Sequence, residues 1–338
     1  MKSMMIRTLV CSLLTVCSLA QAAEVNVYSA RKDELIKPLL DKFEKATGIE
    51  VNLVTGKADA LLSRMQSEGE YSPVDVLLTT DVGRLERAKA LSLIQSVNSD
   101  VLEKAIAKNF RDSEGYWYAL TKRARTIMYH PERVKVAELN GILDLADEKW
   151  KGRICVRSSN NIYNQSLVSA MLIKHDEATV TQWAEQFVSN FARSPKGGDR
   201  DQIKAVVAGE CDVAIANSYY LAGMLRDSNM ANVDIAKQVS VFWPADADKG
   251  THVNISGAAV AQHAPNKESA IALLEFLVKK DSQQWYAEHN HEYPVMDNVP
   301  VSAVLQSFGE FEAESVALDL VGENTAKAVA IMDKAGWK

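Results

Sequence analysis

Three tyrosines, Tyr163, Tyr219 and Tyr220, are the residues whose type and context best suit them to chemistry. Tyr219 and Tyr220 fall in Cys211-Asp-Val-Ala-Ile-Ala-Asn-Ser-Tyr-Tyr-Leu-Ala-Gly-Met-Leu, an apolar strand that turns into a helix. Tyr163 falls in Val156-Arg-Ser-Ser-Asn-Asn-Ile-Tyr-Asn-Gln-Ser-Leu-Val, which has the same form. Both segments put phenols at the mouth of a strand-to-helix turn, where open α/β sheets hold their ligands. A free phenol ionises only near pH ~10, but a bound metal ion stabilises the phenolate. Three phenols converging there would suit a hard, highly charged cation, with ferric iron the natural partner. A tyrosine pair alone is usually surface or core; the second segment is what raises the metal reading.

Other suggestive residues carry less. His289-Asn-His291 looks like a metal pair but follows a helix and precedes Tyr293-Pro294, as an exposed loop would. His252 has the setting of a hydrogen-bonded hinge residue. Gly197-Gly198 is a turn, because no Gly-Lys-Ser/Thr follows. No nucleophile motif of the Gly-x-Ser-x-Gly kind is present, so the chain offers no positive case for an enzyme.

The elements that must position the phenols alternate. Glu24–Ser29, Glu50–Val54 and Val74–Thr79 have strand patterns, with helices expected over Asp33–Ala46 and Lys57–Glu68 and from a cap at Asp81. The near-continuous apolar run at Val74–Thr79 predicts a central parallel strand. Tyr116–Tyr129 is one long extended run, and Val239–Pro244 with His252–Ala261 forms a second extended passage. Between them come a strand at Gly152–Arg157, a helix from Ile162, helices around Trp183 and Gln202, and the strand Cys211–Ala216. Helices are expected at Asn266–Lys279, Ser282–His289 and Thr325–Ala335. The fold class expected is α/β, with two doubly wound sheets in two lobes joined by a two-strand hinge. The lobes would be discontinuous: residues 23–120 with 247–297, and 121–246 with 298–338. A cleft between them is a standard place for a small ligand, and hinge bending would close it.

The N-terminus indicates where the protein works. Lys2 and Arg7 precede the apolar stretch Leu9–Ala20, and Ala20-Gln21-Ala22 is an A-x-A cleavage site, so residues 1–22 are expected to be a signal peptide. Its removal takes the net charge from -6 to -8, with 36 basic against 44 acidic residues. An acidic chain argues against nucleic acid as a partner. About 316 residues remain, enough for one large domain or two medium ones. Cys155 and Cys211 are the cysteines left, an even number in an oxidising compartment. Each leads to a tyrosine turn, so a disulfide between neighbouring strands is expected; the alternative is two buried thiols.

Val27-Tyr-Ser-Ala-Arg31, Phe43-Glu-Lys-Ala-Thr-Gly-Ile, Ser72-Pro-Val-Asp-Val-Leu-Leu-Thr79, Ser159-Asn-Asn-Ile-Tyr-Asn-Gln-Ser and Ala216-Asn-Ser-Tyr-Tyr together resemble the periplasmic ferric-ion-binding proteins, the solute receptors of iron ABC importers. The resemblance covers essentially the whole mature chain. It implies a two-lobed periplasmic-binding-protein fold of type II, a monomer in the periplasm, and an ABC permease in the inner membrane as partner. It also implies iron ligation by Tyr163, Tyr219 and Tyr220. One branch of that family adds a His from the first loop and a Glu after strand three; this chain has Ala30-Arg31-Lys32 and Thr79-Thr80-Asp81 there. A second branch has a His-Tyr pair where this chain has Lys32-Asp33. The third completes three tyrosines with a bound anion, usually carbonate, held by arginines. This chain resembles the third, with Arg31 and Arg125 as the anion-binding candidates. Arg123 competes with Arg125, and only one of the two is expected to enter the cleft directly. The alternatives are a receptor for a small organic anion or phosphonate without metal, and an exported enzyme on the same fold.

Overall fold

A computed structural model describes residues 23–245 and 250–338 of the chain. The expected leader over 1–22 lies outside the described residues. No helix among the described residues is long and apolar enough to cross a membrane.

The chain opens with β1 (Glu24–Ser29), α1 (Lys37–Thr47), β2 (Glu50–Thr55), α2 (Ala58–Glu68), β3 (Val76–Thr80) and α3 (Val82–Ala90). The first helix starts later than its periodicity suggests. Asp33–Leu35 form a separate 3-10 turn and Ile36 breaks the spiral at φ -144°. Pro38 is the cause: without an N–H, and with a ring that crowds the carbonyl four residues back, it is tolerated only in a first turn. Asp81 does cap α3, accepting from the Gly83 N–H at 3.0 Å. Two short elements, β4 (Ile94–Gln95) and α4 (Asp100–Ala105), follow and are too brief to show a period.

The long run is one strand, β5 (Tyr118–Tyr129). Beyond it come β6 (Ile154–Cys155), α5 (Ile162–Lys174), α6 (Glu177–Ser189), α7 (Asp199–Val207), β7 (Val213–Asn217), α8 (Ser218–Leu225), α9 (Met230–Ala236) and β8 (Ser240–Phe242). The return consists of β9 (Val253–Ala261), α10 (Lys267–Leu277), α11 (Lys280–His289) and β10 (Tyr293–Pro294). The chain ends with α12 (Ala303–Gln306), α13 (Leu318–Glu323) and α14 (Thr325–Lys334).

The sheet order is β2-β1-β3-β9-β5-β7-β6. β1 pairs parallel with β2 and β3, as βαβ units require, but β9 runs antiparallel to β3. The strand expected to be purely parallel is therefore central in a mixed sheet, because β9 enters from the second crossing rather than from a helix. β5 divides its partners. Tyr118–Ala124 pair with β9, and Arg125–Tyr129 pair with β7. At the junction the Arg125 N–H donates to the His252 carbonyl at 3.0 Å. The phenols are positioned just beyond this point.

The buried side chains fall into separate cores on either side of that junction. One gathers Val27, Leu39, Phe43, Leu78, Trp117 and Tyr286. Another is aromatic, with Trp183 stacked on Phe187 at 4.7 Å and Trp337 edge-on to Phe187 at 5.2 Å. The C-terminal segment touches both: Leu318 and Val321 of α13 lie in the first core, Ile331 and Met332 of α14 in the second.

The expected disulfide is present. Cys155 and Cys211 are bonded across a separation of 56 residues, with Cα atoms 5.8 Å apart. It staples the approach of β7 to β6, which run parallel, and so fixes the spacing of the two strands that lead to the phenols. Closing a loop of that length restricts the unfolded chain by about 4 kcal/mol. The double substitution Cys155→Ser with Cys211→Ser should lower the urea-unfolding free energy by about that amount. A loss of under ~1 kcal/mol would show that the strands are held without the covalent tie.

Candidate functional site

The two tyrosine segments fold as strand exits. Tyr163 is the second residue of α5, and its N–H donates at 3.2 Å to the side chain of the capping residue Asn161. β7 is buried along all five residues and passes straight into α8, whose first turn holds Tyr219 and Tyr220. Because β6 and β7 are parallel neighbours, the starts of α5 and α8 lie side by side. Unpaired N–H groups and the helix dipole there favour negative charge.

The structure brings all three phenols together. The rings of Tyr219 and Tyr220 lie 4.3 Å apart. One guanidinium nitrogen of Arg123 donates to the hydroxyl of Tyr163 at 3.3 Å and also to that of Tyr219. All three tyrosines line one cavity of about 460 Å³. Among the described residues no group of three or more His, Cys, Asp or Glu is placed to hold a metal, so the phenols are the site's candidate ligands.

Of the two β5 arginines, Arg123 lines the cavity of the phenols and Arg125 does not. Residues two apart on a strand share a face, and Arg123 and Arg125 both border a small void beside Tyr163. That spacing could have identified Arg123 from the sequence. Their tasks differ. Arg125 is 1 % exposed and tied to Asp199 at 3.1 Å, to the Asn217 side chain at 3.0 Å, and to that of Asn164. Asn217 precedes α8 and Asn164 follows Tyr163, so Arg125 clamps the starts of both tyrosine helices. Both of its terminal nitrogens are engaged inside the protein. Arg31, the other candidate for an anion, forms a two-pronged pair with Glu292 at 3.0 and 3.2 Å. Arg123 is the guanidinium that faces the phenols.

Glu292, which the sequence did not single out, anchors this arrangement. It pairs with Arg31, lies 3.6 Å from Arg123, and accepts from the hydroxyls of Thr121 and Ser256. Burial works against its charge, yet Arg31, Arg123 and those hydrogen bonds hold its carboxyl below the ordinary range.

One guanidinium cannot serve three phenolates equally. Burial opposes ionisation of Tyr163, but the Arg123 charge and hydrogen bonds from Tyr219 and Arg123 outweigh it and bring that phenol below its usual value. Burial raises Tyr219 well above it, and the neighbouring phenols add to the rise. Tyr220 is pushed up to about 12, first by burial and then by repulsion from Tyr163 and Asp199.

Asp81 occupies the place where the resemblance would have supplied a glutamate. It is fully buried, has φ +78°, and accepts from Ser166 of α5 at 2.6 Å. Burial raises its carboxyl, and it borders the small void rather than the larger cavity. Asp81 therefore links α3 to α5 and is not among the residues facing the phenols. His289 stacks on Trp285 at 4.7 Å, and both it and His291, at φ +54°, line the larger cavity. His252 is hydrogen-bonded to Glu314, in keeping with a hinge residue.

A family model described as bacterial extracellular solute-binding protein matches residues 72–308. The chain is 47 % identical over 315 residues to iron uptake protein A1 of Synechocystis, covering 93 % of this chain and 88 % of that one. A Trichodesmium protein solved in complex with iron and citrate ligands superposes with a TM-score of 0.91 at 46 % identity, over 94 % of this chain and all of that one. The apo ferric ion-binding protein A of Pasteurella haemolytica superposes at 0.86 with 42 % identity, over 94 % and 98 % of the two chains. A putative 2-aminoethylphosphonate-binding protein of Salmonella typhi is more distant, at 26 % identity over 78 % of this chain and 74 % of its own. The architecture is the two-lobed type II fold of those solved proteins.

Removing a buried guanidinium leaves its partner carboxylate exposed to the full cost of burial. Arg125→Ala should therefore lower stability by about 3 kcal/mol, the lower part of the range for broken buried pairs, because Arg157 still contacts Asp199 at 2.6 Å. Arg125→Lys should not restore it, since one ammonium cannot span three acceptors set for a planar fork. Chemical denaturation measures both; an Arg125→Ala protein as stable as the parent would remove the clamp.

Proposed function

The chain belongs to the bacterial extracellular solute-binding protein family, and from that premise we propose that it is a periplasmic receptor that binds ferric iron and delivers it to an inner-membrane ABC importer. The observation that carries this is the meeting of three phenols from two separate helix starts around one guanidinium, in a cavity that β5 borders through Arg123. Ferric iron is a hard cation that favours anionic oxygen donors. Three phenolates would cancel its charge and leave coordination positions open.

A carbonate ion, or another small anion, would fill those positions. Arg123 supports this role best, since it is buried beside the phenols and lines their cavity. A guanidinium fork suits a carboxylate-like anion. Arg31 would act through Glu292 to hold Arg123, and Arg125 would hold the two tyrosine helices. The lobes, 23–120 with 247–297 and 121–246 with 298–338, would close by bending where β5 changes partners.

Ferric phenolates absorb visible light through charge transfer. Titrating the metal-free protein with ferric ion and bicarbonate should produce that band, and Tyr219→Phe with Tyr220→Phe should abolish it. An unchanged spectrum in the double variant refutes the site.

Iron binding should weaken in acid. Tyr219 and Tyr220 both sit above the ordinary phenol value, so each is protonated in the metal-free protein between pH 5 and 8 and must lose its proton to the metal. The logarithm of the affinity should then fall by at least about 2 per unit of pH lowered. Competition against a chelator of known proton affinity measures the slope, and a flat profile would mean that neither phenol ionises on binding.

A further inference from the structure

We infer that the small void beside Tyr163 is a built site for one water molecule, which joins the residues holding the start of α3 to the Arg125 clamp. The inference is independent of the ferric reading, and its test uses metal-free protein.

Unsatisfied polarity is the first observation. Asp81, Arg125 and Asn254 all line the void and are all buried. Each keeps one polar atom without a hydrogen-bond partner among the described residues. Oδ1 of Asp81 accepts from the Gly83 N–H at 3.0 Å and the Ser166 hydroxyl at 2.6 Å, which leaves Oδ2. Arg125 uses both terminal nitrogens on Asp199, Asn217 and Asn164, which leaves Nε. Oδ1 of Asn254 accepts from the N–H groups of Val82 at 2.9 Å and Ile255 at 2.7 Å, which leaves Nδ2. Those two donors also fix the amide, since turning it over would set an NH2 against two N–H groups. Arg123 borders the void as well, but its Nε lies 3.6 Å from Glu292. Buried polar atoms are as a rule satisfied by protein or by ordered water, so three orphans around one void call for a shared partner.

Size and chemistry are the second. The void measures about 10 Å³, the room that one water needs and too little for a polyatomic anion. The orphans are two N–H donors and one carboxyl oxygen. A water accepts from Arg125 Nε and Asn254 Nδ2 and donates to Asp81 Oδ2, which makes the three bonds usual for a buried water. A cation in the same place would meet the Arg125 guanidinium, and a halide would meet the Asp81 carboxyl group. A neutral molecule that both donates and accepts satisfies all three.

Placement gives the water its task. Asp81 caps α3, and Asn254 takes the N–H of Val82, the first residue of that helix. Arg125 holds the starts of α5 and α8 through Asn164 and Asn217. On the lobe division proposed above, Asp81 and Asn254 fall on one side and Arg125 on the other. The water is thus a strut across the seam, linking three helix starts that no direct bond of Arg125 Nε connects.

The test has two arms. A crystal structure of the metal-free protein, at a resolution that places waters, should show one density peak of water height within about 3.2 Å of Asp81 Oδ2, Arg125 Nε and Asn254 Nδ2. No peak, direct bonds among the three groups, or a peak too heavy for water would each overturn the inference. In solution, magnetic relaxation dispersion of water oxygen counts long-lived internal waters. Asp81→Asn should reduce that count by one. The Gly83 N–H holds the new amide's oxygen in the Oδ1 position, so its NH2 faces the void and replaces the one acceptor by a third donor. An unchanged count in the folded variant would overturn the inference. If the variant does not fold, the density in the parent protein decides alone.

Discussion

A charged guanidinium held among phenols is the interaction on which the cleft depends. Arg123 can stay there, buried and ionised, only because Glu292 stands behind it and the phenol oxygens in front accept its hydrogens. Glu292 in turn stays ionised because Arg31 grips it with two bonds and Thr121 and Ser256 donate to it. Each charge is tolerable because the next is present, as buried ionic groups require. The partners are far apart in sequence: Arg31 and Glu292 are separated by 261 residues. The cleft is therefore assembled only when the first strand-helix loop, β5 and the segment after α11 have all folded together.

The neighbouring arginine shows how a change of partners along one strand gives two like side chains different surroundings. β5 pairs with β9 up to Ala124 and with β7 from Arg125 onward. Arg123 is on the near side of that change and faces the cavity. Arg125 is at the change itself and faces inward, where Asp199, Asn217 and Asn164 use its nitrogens. Two side chains of one type, on one face of one strand, are directed to different work by the carboxylates packed around them. Asp199 also accepts from Arg157, so the clamp on the tyrosine helices is a small network rather than one pair.

The disulfide and the aromatic core serve the same end at lower resolution. Cys155 and Cys211 hold β6 and β7 at a set spacing, and the stacked Trp183, Phe187 and Trp337 fix the far side of the lobe against which α5 packs. Phenols that share one ion, as proposed for these three, would tolerate little play, and rigid strand ends limit it.

Much of this was determined by local sequence. Alternation and helical period placed β1, β2, α2 and β5 to within a residue or two, because those patterns reflect which face each segment buries. The Ile-Tyr-Asn-Gln and Asn-Ser-Tyr-Tyr segments identified the three phenols, since a strand exit into a helix is a local event. The early helix start was misplaced because the periodicity does not register the missing N–H of Pro38. What only the tertiary structure decided is which charges meet. Nothing near Glu292 in sequence announces Arg31 or Arg123, and nothing near Arg125 announces Asp199. A guanidinium's task depends on the carboxylates and phenols within a few ångströms of it, and those arrive from distant parts of the chain.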